Sequence, residues 1–313
     1  MSEDRNSKHN RNFWGAILAC PNCGQNLDFA TNSYQFENPL FSIFEGEILH
    51  AESEKSRLAY SKECGNCHFP VEPIVESQSG RIKLLFPTDW LLAKLDKSQW
   101  SEWKVKQLNS YVAGLLDPQA SYFHQDNPVG NSFAKFVEKN IDFFQLSILD
   151  AGCGALPKPI YLRNASGCDL FGIDPFDSNF DGHLSNSSAE FLPFRNNSFD
   201  LIVASSAIDH FLDWKKSIAE FKRVLRSNGK LAIYQHLSGV DSKYPGTLIN
   251  GRWYRIFQHG YLVELLDEFD DPFHTKISQT LGWDVEISKY LTDLGFNLID
   301  FDLDNGFSVW KKH

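Results

Sequence analysis

No uninterrupted apolar stretch in these 313 residues approaches the roughly 20 that a membrane span requires. No membrane partner is expected, and the chain reads as a soluble, cytoplasmic protein. Basic charge is also scarce: 30 Lys and Arg stand against 40 Asp and Glu, for a formal net charge of −10 and a pI near 5.5. A broad electrostatic grip on a phosphate backbone needs clustered Lys and Arg, so a nucleic-acid partner is not expected, although a local basic patch stays open. A secretory signal is not expected either, because the apolar piece from Phe13 to Ala19 is too short for a signal-peptide core. Ile17-Leu18-Ala19-Cys20 superficially looks like a lipoprotein cleavage site, but its apolar region is short and a second cysteine follows three residues on. What the chain does have is 42% hydrophobic residues, enough for real cores, and a length that suggests two domains at about 150 residues each.

Four of the six cysteines form two matched pairs, Cys20-Pro-Asn-Cys23 and Cys64-Gly-Asn-Cys67. Two Cys-x-x-Cys knuckles present four thiolates to one tetrahedral zinc ion. Gly24 and Gly65 stand where knuckle turns favour glycine. Tyr34-Gln35-Phe36 and Phe41-Ser42-Ile43-Phe44 alternate as strands do and predict hairpins in the gap between the pairs. Two disulfides would be out of place without export, and a redox pair would need only one motif. A site closed by Cys20, Cys23, Cys64 and Cys67 leaves no open position for a substrate, so its role would be folding or docking. His68 is a possible substitute ligand, read here as a surface residue.

Residues 87–140 are rich in Trp, Leu and Lys. Trp90, Leu91, Leu92 and Leu95 fall at helical intervals, and Trp100 and Trp103 begin a second periodic run, so this segment predicts helices packed between two domains. Tyr122-Phe123-His124, before Asn127-Pro128, reads as a loop that could fold over a cofactor.

The remainder alternates strand, turn and helix. Ile148 to Ala151 is an apolar run that breaks at Gly152-Cys153-Gly154, where glycine permits a sharp bend and close approach of a ligand. Leu170 to Asp174 is a second buried strand ending in a carboxylate, at the distance where dinucleotide-type folds place the acid that binds a ribose diol. Ser188 to Phe194 forms a third element, and Phe199 to Ala204 another strand. Asp213 caps a helix with apolar face Ile218, Phe221, Val224 and Leu225, stopped by Asn228-Gly229, and Lys230 to Gln235 is the next strand. Beyond it, Ile287, Tyr290, Leu291 and Leu294 form a helical stripe ended by Gly295. Two strands follow, Phe296 to Leu303 and Phe307 to Lys311, joined by Asp304-Asn305-Gly306.

In their order these residues resemble the class I S-adenosylmethionine-dependent methyltransferases, of the group with small-molecule substrates. Leu149 to Gly154 looks like the first family motif, Gly172-Ile173-Asp174 the second and Ser188 to Phe194 the adenine-side motif. Phe199 to Val203 with Asp209-His210, and Arg223 to Gly229, complete the pattern. The resemblance implies a doubly wound, mostly parallel seven-stranded α/β sheet, Rossmann-like, over residues 141–313. It implies that Asp150, Gly152, Cys153 and Gly154 line the methionine end of the cofactor, that Asp174 holds the ribose, that Ser188 and Ala189 meet the adenine, and that Ser205 lies beside it. Cys20 to Phe86 is similar to the small zinc-ribbon β modules that precede the catalytic domain in some bacterial methyltransferases, which implies a zinc-ribbon domain over residues 1–86.

Two residues depart from the family pattern. Leu156 stands where a third glycine is usual and is followed by Pro157 and Pro159, so the next helix must begin differently; Ser188 replaces an acid at the adenine edge. Methyl transfer from a sulfonium needs alignment above all, and no catalytic metal. If the acceptor is a hydroxyl or amine a base is required, for which His210, after the fourth strand, and His236, after the fifth, are the candidates. An insertion at 237–282 carries Arg252-Trp253-Tyr254, His259-Gly260-Tyr261 and Asp271-Pro272-Phe273-His274 as candidate pocket walls. The expected activity is methyl transfer to a small-molecule or metabolite-linked acceptor. An rRNA base methyltransferase and a non-catalytic binding protein with this fold are the alternatives.

Overall fold

The computed structural model describes residues 18–26, 29–44, 47–60, 64–68, 75–76, 82–85, 97–116, 124–154, 158–176, 182–235, 246–256, 262–265 and 283–313. Leu156, Pro157, His236, the Trp90 to Leu95 run, Tyr122-Phe123, His259 to Tyr261 and Asp271 to His274 lie outside the described residues.

In chain order the elements are β1 (Phe29–Phe44), β2 (Glu47–Tyr60), β3 (Val75–Glu76), β4 (Ile82–Leu85), α1 (Lys97–Leu116), α2 (Pro128–Asn140), β5 (Ser147–Ala151), β6 (Asp169–Asp174), β7 (His183–Asn186), β8 (Phe199–Ser205), α3 (Trp214–Val224), β9 (Leu225–Tyr234), β10 (Thr247–Ile249), β11 (Arg252–Ile256), β12 (Leu262–Leu265), α4 (Trp283–Asp293), β13 (Phe296–Asp302) and β14 (Phe307–Lys312). Seven strands in the order β7-β6-β5-β8-β9-β14-β13 form the main sheet, parallel up to β9 and closed by an antiparallel pair. This is the doubly wound, Rossmann-like arrangement expected from the sequence. Strand order reverses between β5 and β8, and the crevice beyond their carboxyl ends is where such sheets bind ligands.

Both faces of β5, β8 and β9 are covered, which is why these strands are nearly continuous apolar runs. On one face Leu149, Ile202 and Ile233 pack with Ile218 and Phe221 of α3 and Leu291 of α4. On the other, Ile148, Val203 and Tyr234 pack with Phe133 and Val137 of α2 and with Phe307. Helix starts follow their caps. Asn127 accepts from the N–H groups of Val129 and Gly130 ahead of Pro128, and Asp213 accepts from that of Lys216.

The hairpin between the cysteine pairs is β1–β2. Through β3 it reaches β4, which pairs in parallel with β7, so eleven strands are continuous among the described residues. Two sequence expectations shift. The helix expected to stop at Asn228-Gly229 ends at Val224, because Leu225 is extended and pairs with Phe199; residues 226–229 form an irregularity in β9, with Asn228 at φ 65°. The third element of the sheet is β7, upstream of Ser188, a polar strand whose His183-Leu-Ser-Asn sequence carries no apolar run. The segment from Ser188 to Phe194 is a turn that leads to an isolated bridge. As the prolines required, residues behind the glycine turn form a single 3-10 turn, Ile160–Leu162, entered at Pro159.

Candidate functional site

The glycine turn sits at the carboxyl end of β5. The N–H groups of Gly152 and Cys153 both donate to the carbonyl of Ile173 at the end of β6, at 2.9 and 3.0 Å, locking the turn to the neighbouring strand. Gly152 has φ 78° and Gly154 φ 65°, and a Cβ on Gly152 would lie 2.8 Å from the Cβ of Ala207. At both counts position 152 requires glycine.

Two carboxyls flank the turn. Asp174 accepts from the N–H of Gly154 through Oδ2 and from that of Phe176 through Oδ1, each at 3.0 Å. A carboxylate has about four lone-pair sites, so capacity remains for a pair of ligand hydroxyls. Burial raises its pKa to about 6, against the lowering effect of those two backbone donors. Asp150 is buried more completely and takes the phenol of Tyr161, 2.9 Å from Oδ1 and 3.0 Å from Oδ2. Burial lifts its pKa to about 8, opposed by the Tyr161 hydrogen bond and reinforced by the Asp174 charge.

The segment after β7 passes beside Asp174, with the N–H of Ser187 donating to the Asp174 carbonyl at 3.1 Å. Ser188 and Ala189 are buried there. Above the turn, α1 brings Tyr111 against Phe176, with ring centroids 5.4 Å apart. Burial, then the charges of Asp174 and Cys153, push the Tyr111 phenol up to about 12, so it is a neutral donor at the rim. The same helix holds the loop after β8: Trp103 Nε1 donates to the His210 carbonyl at 2.7 Å, and Gln107 Nε2 donates to it at 2.9 Å and lies 3.4 Å from His210 Nδ1. A carbonyl only accepts, so it is the Gln107 amide nitrogen that faces Nδ1.

Ser205, at the end of β8, and Gln235, directly after β9, are buried, and the polar side-chain atoms of both have no hydrogen-bond partner among the described residues. Orphaned polar groups at the ligand end of a sheet fit a site that a bound molecule completes.

The four cysteines converge as the pairing requires. Their Sγ atoms all lie within 4.8 Å of one another, with Cys20–Cys67 and Cys23–Cys64 at 3.7 Å. A tetrahedron with Zn–S bonds of about 2.3 Å has edges of about 3.8 Å. All six cysteines are free thiols. The knuckles superimpose in pattern: the N–H of Gly24 donates to the Cys20 carbonyl at 2.8 Å and that of His68 to the Cys64 carbonyl at 2.9 Å. The left-handed positions are Gly24, φ 72°, and His68, φ 54°, so the second knuckle uses His68 rather than Gly65 for this turn. The Asn22 amide donates to Cys67 Sγ, and hydrogen bonding from Asn66, first among its causes, lowers the Cys23 thiol to about 6. This donor set fits a closed tetrahedral zinc site.

Thus the fold gathers Asp150, Gly152, Cys153, Gly154, Asp174, Ser188, Ala189 and Ser205 at the carboxyl end of the sheet, and Cys20, Cys23, Cys64 and Cys67 into one cluster. No motif or periodicity in the sequence marks Tyr111, Gln107, Tyr161 or Gln235 as site residues. Only the helical run containing Trp103, and the position of Gln235 at the end of a strand, offered any signal for them.

Among solved structures, a 1,6-didemethyltoxoflavin-N1-methyltransferase of Burkholderia thailandensis with bound S-adenosylhomocysteine is 13% identical, with 70% of this chain and 91% of that chain covered at a TM-score of 0.42. An uncharacterized methyltransferase, YcgJ, of Bacillus subtilis is 29% identical over 105 residues, 34% of this chain and 36% of its own length. The ubiquinone/menaquinone biosynthesis C-methyltransferase UbiE of Blochmanniella floridana is 43% identical over 111 residues, 36% of this chain and 37% of its own length. This chain therefore spans little more than a third of the length of these curated relatives. The methyltransferase domain family matches residues 149–233, from β5 through β9. That stretch contains the glycine turn, both acids and the segment from Ser188 to Phe194, so the part of the chain that is similar to a methyltransferase domain is the part that builds the site.

Proposed function

We propose that this protein transfers the methyl group of S-adenosylmethionine to a small-molecule or metabolite-linked acceptor, and that its four-cysteine site holds a structural zinc ion. The observation that carries the first part is Asp174, fixed by two backbone N–H groups with acceptor capacity left toward the glycine turn. In this reading Asp174 binds the ribose hydroxyls, Ser188 and Ala189 border the adenine, and Asp150 with Gly152, Cys153 and Gly154 lines the methionine end. When bound, the cofactor supplies an activated sulfonium methyl. The chain's own residues align the acceptor, exclude water and take up a proton where the acceptor has one to lose. Ser205 and Gln235 face the acceptor side, and His210 and His236 are the candidate bases. No helix among the described residues is long and apolar enough to cross a membrane. With the acidic net charge, that favours a soluble acceptor.

Incubation of the zinc-replete protein with methyl-labelled cofactor and fractionated cell extract tests the reading. Label in a small organic product supports it. Label in structured RNA, with binding that weakens steeply in salt, would move the activity to a nucleic acid. No label in any fraction, despite cofactor binding, would leave a binding protein.

A further inference from the structure

The cysteine cluster does not stand apart from the main sheet. Leu18, two residues before Cys20, forms an antiparallel bridge with Phe194. The N–H of Ala19 donates to the Pro193 carbonyl at 3.0 Å, and Arg195 Nε donates back to the Leu18 carbonyl at 3.0 Å. Leu18, Cys20 and Cys64 are buried in one core with Ala189, Leu192 and Phe194. The segment they grip is the one that begins at Ser188 and Ala189. From its other side the catalytic domain holds the same segment: Arg223 donates to the carbonyls of Phe194 and Leu192 at 2.6 and 3.0 Å, and Glu220 accepts from the N–H of Leu192 at 3.0 Å. Arg223 and Glu220 are themselves paired through two contacts of 2.7 Å.

We propose that the four-cysteine site forms the outer support of the adenine side of the cofactor pocket, so that metal loading sets cofactor affinity through Leu18 and the Ser188–Phe194 segment. This rests on the cofactor and zinc readings above. The metal ties both knuckles together and so fixes Cys20; without it the four-way bond between the knuckles is lost and Cys20 is held less firmly. Leu18 then loses its anchored neighbour, and the segment is held from the Arg223 side alone. Cofactor binding must order that segment at a cost in affinity. Coupling of this kind is reciprocal, so bound cofactor must tighten zinc by the same factor.

The test uses the full chain and S-adenosylhomocysteine as the probe, with titration calorimetry before and after zinc removal by a chelator. Zinc transfer to a chromogenic chelator is measured with and without the probe. The expected results are about tenfold weaker probe binding without zinc, and zinc affinity raised by a similar factor at saturating probe. Leu18→Ser and Arg195→Ala leave all four thiols in place and are expected to weaken the probe while one zinc stays bound. Equal probe affinity with and without zinc, together with zinc affinity that ignores the probe, overturns the coupling and leaves the cofactor reading standing. Zinc-replete, folded protein that binds no probe overturns both. If zinc removal unfolds the chain, the two variants decide, and unchanged probe affinity in both overturns the coupling.

Discussion

The phenol of Tyr161 reaches both carboxylate oxygens of Asp150, at 2.9 and 3.0 Å, in a fully buried position behind the glycine turn. It is the polar side chain that the structure shows donating to this acid. Tyr161→Phe removes that donor and leaves a buried carboxyl short of a partner, with a loss of about 1–3 kcal/mol. Denaturant unfolding measures it. Cofactor affinity is expected to fall as well, because Asp150 is freed to turn away from the methionine end.

Asp150 and Asp174 also set a pH dependence. The folded pKa of Asp150 is about 8 and that of Asp174 about 6, against an ordinary value of 3.8. The folded state therefore binds more protons than the unfolded one, and stability falls as pH rises, from about pH 4 to 6 through Asp174 and up to about 8 through Asp150. In Asp150→Asn the decline between pH 6 and 8 is expected to be shallower than in the unaltered protein. An equal slope across a series of unfolding midpoints would remove Asp150 as its source.

Gly152→Ala places a methyl 2.8 Å from the Ala207 Cβ at a φ of 78°, so the turn must shift or the loop after β8 must give way. A destabilisation of about 1–3 kcal/mol is expected. Because Gly152 and Cys153 share the Ile173 carbonyl, cofactor affinity should fall by more than thermal stability suggests. Calorimetry at a temperature well below the melting midpoint separates the two effects.

Between the two histidines the expected base is His236. Gln107 places its amide nitrogen toward His210 Nδ1, and with Trp103 it pins the His210 carbonyl, which suits a residue that positions its loop. With an oxygen or nitrogen acceptor, His236→Asn is expected to lower kcat by about 10²–10⁴ and to alter the acid limb of the pH–rate profile. His210→Asn should cost less than about tenfold. The reverse order would return the base to His210.

Much of this site was legible in the residues because the chemistry is local. Gly152 and Gly154 follow the apolar run of one strand, Asp174 ends the next, and four cysteines stand in matched pairs that the fold brings into one cluster. What was not legible depends on which distant surfaces meet. Tyr161 follows two prolines in a short 3-10 turn, where no periodicity points to an inward phenol. The α1 run could be read as a helix, but not which of its residues would face the loop after β8. β7 escaped notice because it is polar and only four residues long. The bridge between Leu18 and Phe194 is made by backbone, which leaves no mark in residue type.

Asp174 and the glycine turn are proposed to form the binding site for S-adenosylmethionine. Titration calorimetry of the zinc-replete chain with S-adenosylmethionine, beside the Asp174→Ala variant, tests it most directly. One cofactor per chain is expected, with a loss of about 100-fold or more in the variant, because a charged partner of two ribose hydroxyls is removed. Folded, zinc-replete protein that shows no binding, or a variant that binds as well as the unaltered chain, would contradict it.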